Sequence, residues 1–136
     1  MAEEVLVKES ISTEMIAAGE RLARHLNDSE LPIDALLWFY SPEENSWRFV
    51  VGSPEVRNRG PKSVYQEIRQ IVSKLPTEER TIPLDKIFVI DSHEPLIKLL
   101  RSAIVTGDGI AGIRFSRNVI NGVLIEDAYI YKLKGV

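Results

Sequence analysis

The alternation of apolar and polar residues is clearest in the last quarter of the chain, where it predicts a β-hairpin. Two such runs flank the dipeptide Asn121-Gly122. This dipeptide favours a two-residue type I′ turn, because both central residues of that turn adopt positive φ. A turn at this position determines the register of the two strands, so Arg117 is expected opposite Glu126.

Side chains alternate between the two faces of a strand, so this register sorts the hairpin residues into two sets. The set expected to face the core, interrupted by Arg117 and Glu126, comprises Ile113, Phe115, Val119, Leu124, Ala128 and Ile130. The polar set comprises Arg114, Ser116, Asn118, Asp127, Tyr129 and Tyr131, with Arg114 opposite Tyr129. The hairpin is therefore predicted to carry one polar cluster on each face.

Apolar residues at helical spacing predict three helices. The first is expected to run from about Ser10 or Ser12, a serine N-cap, to Leu26. An irregular segment at residues 53–60 precedes the second helix, which should begin at Pro61 because proline suits the first helical position.

The third helix is expected to follow a buried strand. Ser92 should act as its N-cap, and Gly107 should supply the left-handed residue at its end. The continuous apolar run at residues 87–90, just before this helix, is typical of a central strand.

Two short apolar and aromatic runs, at residues 35–40 and 47–51, predict a second hairpin. The first run is apolar on both faces, which indicates a strand inside the sheet. The whole pattern predicts one α+β domain over residues 1–136, with the order αββαβαββ. We expect a mixed, mostly antiparallel sheet of about five strands with three helices, whose parallel crossover passes through the third helix.

Composition narrows the class of protein. The chain has 136 residues, 44% hydrophobic and 27% charged, which is typical of a globular domain. It has no cysteine, which excludes disulfides and thiolate chemistry. The acidic start and the lack of a long apolar run favour a cytoplasmic location without a membrane partner. The net charge of -3 argues against nucleic acid as a partner.

The charge is unevenly distributed along the chain. Residues 1–34 hold eight acids and three bases, whereas residues 54–74 hold five bases and two acids. A basic segment such as residues 54–74 is typical of a solvated helix face, or of a site for a small anionic ligand or an acidic partner. Arg57 and Arg59 would contribute to such a site.

Common catalytic motifs are missing. Residues 107–112 match G-x-G-x-x-G, but they follow a predicted helix and precede a strand, the reverse of the order in dinucleotide-binding folds. We interpret these glycines as a helix end and a turn into the hairpin. The chain has no G-x-S-x-G, H-E-x-x-H or P-loop motif, and no cofactor is implied.

The segment Asp91-Ser92-His93-Glu94 is the first candidate site, because it follows a predicted strand and begins a helix, where α/β sheets place their clefts. Asp91, His93 and Glu94 could bind a divalent metal or act as general acid and base. Helix capping by Ser92, with the two acids near the positive helix end, accounts for the same residues.

The hairpin is the second candidate site. Arg114, Arg117, Glu126 and Tyr129 form its polar clusters, and such residues often contact a protein partner or an anionic ligand. Ordinary cross-strand ion pairing is the alternative interpretation.

Two segments resemble known families. Residues 112–131, GIRFSRNVINGVLIEDAYIY, together with residues 47–54, WRFVVGSP, resemble a family of small single-domain bacterial proteins of unknown activity. Residues 10–53, a helix followed by the hairpin ALLWFYSPEENSWRFVV, are similar to the opening of GAF-type sensor domains. The second resemblance implies a closed apolar pocket for a small molecule, and neither resemblance transfers a binding residue.

Three hypotheses follow. The first is a non-catalytic binding or interaction protein of the bacterial cytoplasm, able to form a homodimer, whose contact surface includes the hairpin residues above together with Arg57 and Arg59. The second is a small metal-dependent hydrolase, a phosphoesterase or nuclease, that uses Asp91, His93 and Glu94. The third is a small-molecule sensor of the GAF type.

Overall fold

The helices and strands follow one another in the predicted order, αββαβαββ, and form an α+β fold with a five-stranded mixed sheet. The computed structural model describes residues 7–135. The elements are α1 Thr13–Asn27, β1 Ala35–Ser41, β2 Ser46–Ser53, α2 Glu55–Ser73, β3 Ile87–Asp91, α3 Pro95–Ala103, β4 Ile113–Ile120 and β5 Val123–Leu133. Two 3-10 turns, Thr77–Glu79 and Leu84–Lys86, lie between α2 and β3.

The strand order in the sheet is β3-β2-β1-β5-β4. β1 lies in the middle, as its two apolar faces predicted. The prediction of a central β3 is wrong, because β3 is an edge strand that pairs in parallel with β2. The crossover between these parallel strands therefore passes through α2 and not through α3. The apolar residues of β3 do not need a second neighbouring strand: Ile87 packs with α2, and Phe88 lies under the guanidinium of Arg48, 4.3 Å from the ring centroid.

The sheet separates two layers of helices. α1 and α2 cover one face, where the core is rich in aromatic side chains, among them Trp38, Trp47, Phe49 and Tyr131. α3 covers the other face, over aliphatic residues of β1 and β5. None of the helices in residues 7–135 combines the length and the apolar character needed to cross a bilayer.

The ends of α1 and α2 illustrate how local sequence shapes the helices. Ser12 caps α1 as predicted, its hydroxyl accepting a hydrogen bond from the Met15 amide at 3.1 Å. The segment 53–60 is not irregular as expected, since residues 55–59 already form a helical turn. Gly60, with φ 82 and ψ 157, interrupts α2, and Pro61 begins its longer part. With the two parts of α2 counted separately, residues 7–135 contain four α-helical segments where three were predicted.

The C-terminal hairpin turns at Asn121-Gly122 as predicted, with φ 50 and φ 79. The register is also confirmed, for Arg114 lies opposite Tyr129. The predicted pair of Arg117 and Glu126 is missing from the ladder, which passes from Ser116 and Asp127 directly to Asn118 and Ile125.

The backbone of Arg117 explains this gap and reverses the faces beyond it. Arg117 has φ 50, a left-handed conformation that no strand pattern predicts. Ile120 and Ile125 are buried in the core as a result. Val119 and Leu124, which were expected there, are 66% and 56% exposed.

Candidate functional site

Asp91 lies at the end of β3 and gathers two basic side chains. Its Oδ1 accepts a hydrogen bond from the His93 amide at 3.0 Å and lies 3.2 Å from His93 Nδ1. Its Oδ2 accepts from Arg57 Nε at 3.3 Å. The His93 amide, followed by the ring of His93 and the charge of Arg57, lowers the pKa of Asp91 below its ordinary value. The predicted site at residues 91–94 and the basic segment that contains Arg57 thus meet at the carboxylate of Asp91.

Ser92 does not cap α3 as expected. Glu94 occupies the N-cap position and Pro95 begins the helix, because the Glu94 amide donates to the Asp91 carbonyl at 3.0 Å and closes a turn before the helix. Ser92 is instead buried, and its hydroxyl has no hydrogen-bond partner. The predicted helix end is also wrong, since α3 stops at Ala103, and Gly107 is not among the glycines with positive φ in the described part of the chain.

The metal hypothesis requires several ligands close together. Within residues 7–135, no group of three or more histidine, aspartate or glutamate residues is arranged to hold a metal ion. Asp91 and His93 are close to each other, but they are engaged with one another and with Arg57.

An open cavity of about 420 Å³ lies beside this turn, lined by His93, Lys98, Arg101 and Ser102. Arg101 Nη2 donates to the Ser92 carbonyl at 3.2 Å, while the buried Arg101 Nε has no partner. Lys98 and Arg101 are not among the residues predicted from the sequence. They follow one another at i and i+3 in α3, a spacing that could have placed them on one helix face.

The hairpin cluster is organised around the buried carboxylate of Asp127. Arg114 donates to it from Nε and Nη2, both at 2.6 Å, and Lys8 Nζ donates at 2.6 Å. Burial by itself would raise the pKa of Asp127, but the hydrogen bonds from Arg114 and Lys8 outweigh it and the pKa is lowered. The hydrogen bond to Asp127 in turn raises the pKa of Arg114. Asp127 therefore joins the N-terminal segment, through Lys8, to both strands of the hairpin.

Among the other residues predicted for a contact surface, Tyr129 lies opposite Arg114 on the adjacent strand, whereas Arg57 and Arg59 belong to α2. Arg59 pairs with Glu67 within α2, at 2.5 Å. Arg117 is exposed at the irregular point of β4, and the ring of Tyr129 packs against that of Tyr131 with centroids 5.3 Å apart.

A cavity that the sequence analysis did not predict lies between the start of α1, the sheet and the segment 81–86. Its volume is about 270 Å³. Its apolar lining consists of Met15, Ala18, Trp38, Trp47, Ile82 and Pro83, and its polar lining of Glu9, Glu14, Thr81 and Lys86. We call it the tryptophan cavity.

The indole nitrogens of the tryptophan cavity are already occupied. Trp38 Nε1 donates to the Met15 carbonyl at 3.0 Å, and Trp47 Nε1 donates to the Glu9 carbonyl at 2.8 Å. The two rings therefore offer carbon surface to the cavity and no free donor. The pattern of two tryptophans on adjacent strands was visible in the sequence, but their common face depends on the register of β1 and β2.

Comparison of the chain with protein-family models, with curated proteins and with solved structures found no match. The resemblances noted from the sequence therefore stay predictions.

Proposed function

We propose that the protein is a non-catalytic binding domain whose tryptophan cavity takes a small apolar ligand. The cavity itself carries the proposal: it is concave, lies between a helix and the sheet, and is lined mainly by apolar side chains with a few polar groups at the side. These are the usual attributes of small-molecule sites. An apolar pocket between sheet and helices is also what the sensor hypothesis requires.

The size and chemistry of the tryptophan cavity define the ligand class. A volume of about 270 Å³ lies just below the range of roughly 300–1,000 Å³ for drug-sized ligands. A molecule of one or two rings therefore suits it. Because both indole N–H groups are engaged, binding would come from burial of carbon surface rather than from hydrogen bonds to the tryptophans.

Intrinsic fluorescence tests this proposal directly. Trp38 and Trp47 are the only two tryptophans of the chain, and both line the cavity. We expect some members of a panel of non-fluorescent cyclic alcohols and hydrocarbons, from cyclohexanol to decalin, to change the emission saturably and to raise the melting temperature.

Two alanines of α1 provide a matched pair of variants. Ala18→Leu places three more carbons in the cavity and should abolish the ligand-induced fluorescence change. Ala17→Leu makes the same change at the preceding position, which is exposed, and this variant should bind as the wild type does. If no panel member binds, or if Ala18→Leu binds as well as Ala17→Leu, the proposal is wrong.

A second candidate function is self-association through the tip of the C-terminal hairpin. Val119, Val123 and Leu124 are 66%, 49% and 56% exposed. They belong to β4 and β5, and β4 is an edge strand with unpaired backbone groups on its outer side. We infer that this edge meets a second copy of the chain, because an edge strand can pair with itself across a two-fold axis.

Light scattering over a concentration series tests self-association. Val119→Lys should lower the mass from dimer to monomer, whereas Val105→Lys, an exposed valine outside the hairpin, should not. Val119 is a better position to substitute than Arg114, because replacing Arg114 would also remove hydrogen bonds to Asp127. A wild-type protein that is monomeric at every concentration would overturn this candidate.

A further inference from the structure

The segment before α1, residues 7–11, lies against the turn between β1 and β2 and contributes Glu9 to the wall of the tryptophan cavity. We call this segment the strap. Among the backbone–backbone hydrogen bonds of residues 7–135, none involves the strap, and Val7, Glu9 and Ser10 are exposed. Side chains from elsewhere in the fold therefore hold it, and it can move away without breaking a helix or a strand.

Two side chains of the first hairpin bind the main chain of the strap. Asn45 binds it twice, since its Oδ1 accepts from the Glu9 amide at 2.9 Å and its Nδ2 donates to the Val7 carbonyl at 3.1 Å. Trp47 Nε1 donates to the Glu9 carbonyl at 2.8 Å. The strap is thus fixed beside the cavity by three hydrogen bonds from two neighbouring residues.

Most of the groups that hold the strap keep a partner when it is released. Asp127, which accepts from Lys8 of the strap, retains its two hydrogen bonds from Arg114. The two hydrogen bonds of Asn45 to the strap lie at the surface, where water can replace them. Release therefore leaves neither a buried charge nor a buried amide unpaired at these two positions.

Trp47 is the exception. The residue is only 2% exposed, and its Nε1 donates to the Glu9 carbonyl alone. Buried donors nearly always have a partner in folded proteins, so release of the strap leaves a donor that requires another acceptor. Because Trp47 and Glu9 both line the tryptophan cavity, a ligand in the cavity lies beside this hydrogen bond.

We propose that the strap determines which ligands the tryptophan cavity accepts. With the strap in place, the cavity takes a purely apolar ligand. A ring compound that carries a carbonyl oxygen displaces the strap, and its oxygen replaces the Glu9 carbonyl as the acceptor for Trp47 Nε1. One acceptor is exchanged for another, so the ligand still gains from burial of its ring. This inference rests on the proposed function, because it concerns the same cavity.

Hydrogen exchange of the two indole N–H groups tests the strap without any ligand. Asn45→Gly removes both hydrogen bonds to the strap and preserves the backbone, since Asn45 has φ 45, which glycine adopts freely. Exchange at Trp47 Nε1 should become roughly tenfold faster or more, the usual effect of losing two hydrogen bonds. Exchange at Trp38 Nε1, which is bonded to the Met15 carbonyl of α1, should not change.

Asn121→Gly is the matched control for Asn45→Gly. Asn121 has φ 50 and lies in the turn of the other hairpin, so the variant makes the same chemical change away from the strap. Both indole exchange rates should stay at their wild-type values. Equal exchange at Trp47 Nε1 in Asn45→Gly and Asn121→Gly would overturn the proposal.

A pair of ligands of similar shape tests the acceptor. Cyclohexanone carries the oxygen and methylenecyclohexane does not, and binding of each is followed by the indole N–H resonances. Asn45→Gly should strengthen cyclohexanone binding several-fold and leave methylenecyclohexane binding unchanged, because only the ketone competes with the Glu9 carbonyl. If the variant binds both compounds as the wild type does, the strap has no such role and the proposed function still stands. If no cyclic compound binds, both proposals are wrong.

A second variant keeps the test valid if Asn45→Gly does not fold. Lys8→Met removes the ion pair of the strap, while Asp127 keeps its hydrogen bonds from Arg114. Exchange at Trp47 Nε1 should again become faster, with no change at Trp38 Nε1. Wild-type exchange at Trp47 Nε1 in this variant would contradict a displaceable strap.

Discussion

The substitution Asp127→Asn tests whether the hairpin cluster is structural or is available to a partner. The carboxylate of Asp127 is fully buried and accepts three hydrogen bonds of 2.6 Å from two cations, Arg114 and Lys8. Asparagine has the same shape but no charge, and its amide nitrogen cannot accept. At least one of the three hydrogen bonds is therefore lost in the variant, together with the negative charge that faces both cations.

The size of the destabilisation depends on how well water can solvate Arg114 and Lys8 in the variant. Removing one partner of a fully buried ion pair costs about 3–5 kcal/mol. Here the side chains of Arg114 and Lys8 remain 47% and 32% exposed, so hydration replaces part of what they lose. We therefore expect the free energy of unfolding to fall by about 2–3 kcal/mol at neutral pH.

The dependence of this loss on pH gives a second, independent readout. The folded state lowers the pKa of Asp127, so the ionised carboxylate stabilises the protein above the unfolded pKa of about 3.9. That contribution disappears as the pH falls through the lowered pKa of the folded state. The difference in stability between wild type and Asp127→Asn should be constant at neutral pH and should shrink only below about pH 4.

Urea unfolding, followed by tryptophan fluorescence, measures both quantities. Glu20→Gln serves as the control, because Glu20 pairs with Arg24 at 3.6 Å with both side chains more than half exposed. Glu20→Gln should lower the free energy of unfolding by about 0.3 kcal/mol. A loss below about 0.5 kcal/mol for Asp127→Asn, or a loss that is the same at pH 3 as at pH 7, would refute the structural role of this cluster.

Two further predictions concern side chains packed between α1 and the sheet. Burial lowers the pKa of Lys132, so stability should rise as the pH climbs towards the unfolded pKa of about 10.4. Lys132→Met should remove that rise and increase the free energy of unfolding by about 1 kcal/mol at pH 7. Urea unfolding at pH 7 and pH 10 measures both effects. A free energy of unfolding that changes equally with pH in the wild type and the variant would contradict the prediction. A methyl group at Gly19 would overlap the Tyr131 hydroxyl and the Trp38 indole nitrogen. Gly19→Ala should therefore lower the free energy of unfolding by about 2 kcal/mol, although alanine has the better helix propensity. Gly109→Ala, with no atom near the added carbon, is the control, and equal melting temperatures for the two variants would be the opposing result.

Interactions between near neighbours in the chain account for what was predictable. The turn at Asn121-Gly122 was predicted because only a few residues accept positive φ, and the cap of α1 because the Ser12 hydroxyl reaches an amide three residues away. The two apolar faces of β1 indicated its central place in the sheet. Each of these inferences needs information from a single turn or a single element.

The position of β3 could not be predicted in this way. An apolar run shows that a strand is covered, but it does not show whether strands, a helix or one long side chain cover it. In β3 the cover is provided by α2 and, over Phe88, by the guanidinium of Arg48. The same limit applies to Arg117, whose left-handed backbone reversed the faces of the hairpin beyond it.

The sequence by itself determined the order of elements, the hairpin turn and the class of fold, because these depend on local propensity and on the period of the apolar pattern. Tertiary structure alone decided which distant groups became neighbours: Arg57 with Asp91, Lys8 with Asp127, and the two tryptophans around one cavity. The tryptophan cavity belongs to this second category, since its lining comes from residues 9–18, 38–47 and 81–86. A binding site is assembled from residues far apart in the chain, and their approach depends on strand order and helix packing, which local patterns do not encode.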